Sequence, residues 1–208
     1  MLLVLPWSPT LAADLRASVV DGFATPVADA VVIAVPENGA VIEAKQDMAT
    51  VDQIDQQFVP YVKAIAVGTS VSFPNKDDIR HHVYSFSKAK RFELPLYSGV
   101  PADPVTFEIP GVVTLGCNIH DWMVGYIYVS ESPWFAVTDA EGAAVIKGLP
   151  EGKYRVRTWH PLLKVSEEST EQSVDIETTL PAELHWVLSL KPDIRPRRAP
   201  IGGMKVYH

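Results

Sequence analysis

Gly116-Cys117-Asn118-Ile119-His120-Asp121-Trp122-Met123 is the stretch that decides how the chain is read. It is a C-x2-H-x2-M run holding the one cysteine of the sequence. A thiolate, an imidazole and a thioether so close together form a soft donor set that favours copper over hard cations. With a second imidazole from elsewhere, and the methionine weak and axial, such donors make a mononuclear electron-transfer copper centre. The chain offers that imidazole upstream, at His81 or His82. Neighbouring side chains of a strand point to opposite faces, so only one of the two can join the site.

At 208 residues the chain has room for one or two domains with a sizeable core. Its 47 % hydrophobic and 21 % charged content is that of a globular protein. A formal charge of −7 argues against nucleic acid as a partner. One cysteine excludes an intramolecular disulfide and leaves a thiol that is free or occupied. Residues 1–13 carry no charge and end in small residues, so cleavage after Ala12 or Ala13 is plausible. This resembles the second half of a secretory signal and predicts a periplasmic protein; the alternative is a short apolar first strand. No other apolar stretch approaches the ~20 residues a membrane span needs.

Helical periodicity is nearly absent. Short, β-branched, alternating segments bounded by Gly, Pro, Asp and Asn recur instead, which predicts an all-β chain built of sandwiches. Strands are expected near 15–20, 27–35, 61–67, 69–73, 82–86, 105–109, 112–115 and 125–129. More follow near 135–138, 143–146, 153–159, 172–176 and 184–190. The segment 46–57 is the one candidate for a short helix. Residues 191–208, with Arg195-Pro196-Arg197-Arg198, read as an extended tail.

Two distant pieces look like halves of one unit. The first is Val20-Asp21-Gly22 followed by Pro26-Val27-Ala28-Asp29-Ala30-Val31-Val32; the second is Val137-Thr138-Asp139-Ala140-Glu141-Gly142 followed by Gly148-Leu149-Pro150-Glu151-Gly152-Lys153-Tyr154. The order of these turns resembles the carboxypeptidase regulatory-like (transthyretin-like) β-sandwich. That family joins its halves by a short stretch, so residues 46–131 read as an insertion splitting a sandwich of 14–45 and 132–190. Insertion at a loop tip is tolerated when the two ends lie close.

The inserted stretch resembles the small cupredoxins of the amicyanin and plastocyanin kind, over roughly residues 58–129. Gly68-Thr69-Ser70-Val71-Ser72-Phe73-Pro74-Asn75 looks like that family's G-x-x-V-x-W/F-x-N strand. His81 stands six residues after Asn75, where the family has its first ligand histidine, and Val83 fits the Val of its H-N-V motif. The C-x2-H-x2-M spacing is the short loop of amicyanins rather than the longer loop of plastocyanins. The resemblance implies a Greek-key sandwich with one type 1 copper on His81, Cys117, His120 and Met123. It also implies electron exchange with a redox protein through the exposed edge of His120, with Ile119 and Trp122 in the contact patch.

Two departures stand out. The family's Asn after the first ligand, which ties the ligand loops together, is His82 here. His82 could take that task or, in a shifted register, be the ligand. Asp121-Trp122 replaces the family's Pro and aromatic, and Trp122 either caps the sandwich end or docks a partner. His160 and His185 read as packed or solvated histidines. Lys88, Lys90 and Arg91 form a basic cluster, a solvated face or a steering surface for an acidic partner.

The resemblance implies an electron carrier and not an enzyme. There is no defensible Ser-His-Asp order, and the histidine pairs of a trinuclear oxygen site are lacking. Two other readings stay open. One is a copper carrier or sensor using the same ligands; the other is a surface carbohydrate- or protein-binding module acting through the regulatory-like sandwich.

Overall fold

The structure, a computed structural model, describes residues 12–39, 47–100, 103–177 and 181–194. In chain order the strands are β1 (Ala12–Asp21), β2 (Val31–Pro36), β3 (Met48–Thr50), β4 (Asp52–Ile54), β5 (Gln57–Val59) and β6 (Val62–Ala66). Then come β7 (Ser70–Ser72), β8 (His81–Phe86), β9 (Arg91–Tyr97), β10 (Val105–Thr106), β11 (Gly111–Cys117) and β12 (His120–Ser130). The last are β13 (Phe135–Val137), β14 (Ala143–Pro150), β15 (Gly152–Trp159), β16 (Gln172–Ile176) and β17 (Ala182–Leu188). A 3-10 turn, Glu167–Thr170, is the one helical element among the described residues, so the chain is all-β.

Alternation places each strand. In β8, His81, Val83 and Ser85 are buried while His82, Tyr84 and Phe86 face outward. The five-stranded sheet β6-β12-β11-β8-β9 and the three-stranded sheet β10-β7-β3 enclose a core of Val71, Phe73, Val83, Phe107, Leu115 and Ile127. Strands β14-β1-β17 and β13-β2-β15-β16 form two further sheets around Leu15, Val19, Val32, Ile146, Val156 and Trp186. Among the described residues, β1 and β2 pair with β14, β17, β13 and β15. A third cluster joins the two bodies, with Val31 and Ile33 of β2 packed against Val62 and Tyr128. Thus β2 is buried on both faces, which explains its unbroken apolar run Val31-Val32-Ile33-Ala34.

The helix expected over 46–57 does not form. Gln46 lies outside the described residues; the rest makes β3 and the β4–β5 hairpin. That hairpin turns at Asp55 and Gln56, both at positive φ (52° and 59°), a two-residue combination that suits paired strands and no helix. Strand β9 is absent from the expected set because it contains Pro95. It is the edge strand of its sheet, and the pairing with β8 slips by one residue at that proline. The leader-like residues 1–11 and tail residues 195–208 lie outside the described residues; Ala12 and Ala13 are already paired in β1.

A polar network closes the seam between the bodies. Tyr128 donates to Glu167 (2.5 Å), and Arg157 donates to Glu167 (2.5 Å) and Glu131 (2.7 Å). Burial, reinforced by Glu167, pushes the Tyr128 hydroxyl above its ordinary range, so it stays a donor. Arg157→Met leaves the Glu167 carboxylate half-desolvated without its cation and is expected to destabilise the fold by about 3 kcal/mol. Adding Glu167→Gln is expected to restore most of that loss in urea unfolding; a double variant as weak as the single one contradicts this account.

Candidate metal centre

The C-x2-H spacing is a hairpin spacing. Asn118 and Ile119 form the turn between β11 and β12, and Cys117 and His120 are direct cross-strand partners. Such partners project from the same face with their Cβ atoms close together. The register slips between Gly116 and Cys117, a local irregularity of the kind that re-aims a side chain. Strand β8 runs alongside, with Val83 opposite Cys117. This brings His81 in from a strand 36 residues earlier.

His81 Nδ1 and His120 Nδ1 each lie 3.7 Å from Cys117 Sγ, and the two rings are 5.0 Å apart. The three donor atoms fall within 4.8 Å of one another. A metal ~2.3 Å from a thiolate and ~2.0 Å from an imidazole separates its donors by roughly 3.5 Å at a tetrahedral angle and roughly 3.7 Å at a trigonal one. Both observed separations sit at the trigonal end, so the residues present fit a His2Cys metal site. His81 and Cys117 are buried, and His120 is half-exposed at the rim. Met123 lies in β12, buried in the same apolar core as Cys117. Trp122 is 42 % exposed, its ring 5.2 Å from that of His120.

His82 points away from this cluster. Its Nε2 lies 2.9 Å from a Glu93 carboxylate oxygen, an ion-pair contact outside hydrogen-bond geometry, and its ring neighbours Tyr84. The β11–β12 turn and β8 are nonetheless tied at this residue through the backbone, since Asn118 N–H donates to the His82 carbonyl (3.3 Å).

Around the cluster stands a layer of residues that spacing alone does not reveal. Asp77 accepts from the backbone N–H groups of Asp55 (2.6 Å) and Gln56 (2.9 Å), and its Oδ2 lies 2.7 Å from His81 Nε2. Burial works to raise the Asp77 pKa, but the Gln56 N–H, the His81 ring and the Asp55 N–H outweigh it and hold it below the usual carboxylate value. An ionised carboxylate only accepts, so His81 Nε2 donates to it and Nδ1 is the ring nitrogen left facing Cys117. Asn75 holds the loop: its amide donates to the carbonyls of Ile79 and Tyr97, and its oxygen accepts from Asp77 N–H. Tyr97 donates to the Phe73 carbonyl and takes a hydrogen bond from Gln53. Burial pushes the Tyr97 pKa up to about 12; the Gln53 hydrogen bond works against this and the Cys117 charge adds to it. In the sequence, Asn75 closes the G-x-x-V-x-W/F-x-N motif and marks the count to His81, while nothing singles out Asp77, because neither lies on an alternating strand.

No protein-family model and no curated protein sequence matches the chain. Solved structures do. A purple cupredoxin from Nitrosopumilus maritimus overlaps 39 % of this chain and 99 % of its own, at 26 % identity and a TM-score of 0.36. A reduced amicyanin variant overlaps 47 % of this chain and 98 % of its own, at 20 % identity and 0.36. A copper-containing nitrite reductase from Thermus scotoductus overlaps 56 % of this chain but 28 % of its own, at 29 % identity and 0.38.

Asp77 links the hairpin turn to His81, and both links can be measured. Asp77→Ala strands two backbone donors and is expected to cost about 1–3 kcal/mol in urea unfolding. It is also expected to weaken binding of a thiophilic divalent metal about 10–100-fold. Unchanged affinity in a folded variant shows that His81 needs no orienting carboxylate.

Proposed function

We propose that the chain is a cupredoxin-type electron-transfer protein whose one type 1 copper would be held by His81, Cys117, His120 and Met123. The observation that carries this reading is the spacing of one buried cysteine sulfur and two imidazole nitrogens, 3.7 Å on each side, as trigonal coordination would set them. When bound, the copper supplies a one-electron couple. The protein's part is to hold the donors still. Cys117 and His120 are fixed across a hairpin, and His81 is fixed by Asp77 and by burial. Donors set in a rigid sandwich rearrange little between oxidation states.

The half-exposed edge of His120 serves as the exchange point, with Ile119 and Trp122 exposed beside it for a redox partner. Contacts of this kind are small and transient. The protein is a carrier rather than an enzyme, and is exported to the periplasm, a location that rests on the signal-like stretch 1–13. No helix among the described residues is long and apolar enough to cross a membrane. Residues 46–131 form the copper unit, inserted in a second sandwich made by 14–45 and 132–190.

Cu(II) added to the full chain is expected to give a strong visible thiolate-to-copper band. Cys117→Ser abolishes it, Met123→Leu keeps the colour with a raised potential, and His81→Ala bleaches it while His82→Ala does not. A band that survives Cys117→Ser, or bleaches only with His82→Ala, overturns the ligand assignment. For the insertion, a fragment of 46–131 is expected to fold and turn blue. One joining 14–45 to 132–190 through a Gly-Ser linker is expected to fold and stay colourless. Failure of both fragments to fold shows that the two sandwiches are one unit.

A further inference from the structure

The outward face of β8 carries a row that the site does not use. His82, Tyr84 and Phe86 project from it one after another, with ring centroids 6.1 Å and 5.1 Å apart. Phe86 is 73 % exposed, although it lies in a regular strand. It stands roughly 16 Å along β8 from His81, well away from the His120 rim.

Cations gather at that end. Lys88 and Lys90 lie in the hairpin leaving Phe86, and Arg91 is the cross-strand partner of Phe86, so its side chain shares that face. Among the described residues no carboxylate lies within ion-pair distance of Lys88, Lys90 or Arg91. The one acid in the row, Glu93, sits opposite Tyr84 and faces His82. In a chain of net charge −7, this is a local reversal of sign around an exposed aromatic ring.

The row also reaches the metal cluster. Tyr84 is the cross-strand partner of Gly116, the residue before Cys117. A Cβ built on Gly116 would lie 2.8 Å from Tyr84 Cζ and 2.9 Å from its Oη, so the ring covers the glycine backbone. Any side chain at position 116 would have to displace the tip of that ring. From exposed Phe86 to Tyr84 to the Gly116 backbone to Cys117, the path is two neighbouring rings tilted at 41° and a single peptide link.

We propose that the Phe86 face, ringed by Lys88, Lys90 and Arg91, is a second docking surface that takes an acidic redox protein. The docking part stands on the surface alone; the electron-transfer part rests on the copper reading given above. The exchange balances simply. The partner's centre loses or gains one electron, the copper centre gains or loses it, and no proton moves and no bond is made. A second surface lets donor and acceptor occupy different faces, with the His120 rim left to the other partner.

The test uses the full chain and two probes. Hexacyanochromate(III), an inert paramagnetic trianion, is expected to broaden amide resonances of residues 86–91 in the metal-free protein. An acidic c-type cytochrome is expected to shift the same resonances, and Lys88→Glu/Arg91→Glu is expected to abolish both effects. In the copper-loaded chain that double variant is expected to slow exchange with the cytochrome roughly tenfold at low salt while leaving the visible spectrum unchanged. Phe86→Ser is expected to slow it without altering the salt dependence. Broadening centred on Lys63, Lys76 or Arg80, or shifts on the His120 rim alone, overturns the proposal. So does concentration-dependent self-association through residues 86–91. If the chain takes up no copper, the function reading fails while cytochrome binding by the metal-free chain still decides the docking surface.

Discussion

A two-residue turn is the constraint from which the centre follows. With only Asn118 and Ile119 between them, Cys117 and His120 must face each other across the β11–β12 hairpin, and their side chains must leave the same side of the sheet. Half of the three-donor cluster geometry is therefore fixed locally. The other half is imported by β8, whose pairing with β11 sets Val83 against Cys117 and so brings His81 to the sulfur. The surrounding sandwich keeps this pairing from slipping, because a one-residue shift would send Val83 and His81 to solvent and His82 inward.

The same alternation settles what the pair His81-His82 does. One imidazole is wholly buried against Cys117; the other stands on the outside among Glu93 and Tyr84. The tie between ligand loops that a side-chain amide at position 82 would make is made by the peptide group instead, from Asn118 to the His82 carbonyl. A backbone tie does not depend on which side chain stands there. A histidine at this position therefore leaves the junction intact and adds a polar ring to the outer face.

Much of this was legible because strands write their period into the sequence. Regular alternation marked β1, β8, β15 and β16, and the spacing of Cys117 and His120 marked the cluster. What escaped notice lacks a period. Strands β3, β4 and β5 are three residues each, too short for alternation to show, and their hairpin turns on Asp55-Gln56 rather than on a glycine pair. Strand β9 is masked by Pro95, tolerated only because that edge needs no further partner. Asp77 and Tyr97 reach His81 and Phe73 through tertiary contacts, which no local spacing encodes.

The pairing of β1 carries a consequence for how the molecule is assembled. Ser18 hydrogen-bonds to His185, 167 residues later, through the parallel β1–β17 pair, and the other edge of β1 waits for β14. A chain made from its N-terminus thus holds β1 with both edges open while everything from β3 to β12 can already fold. Loop closure over that length comes late, and an unpaired apolar strand is the species most prone to wrong partners in the interval. Biogenesis of this protein has a natural order, the β3–β12 part first, and its hazard is concentrated in β1.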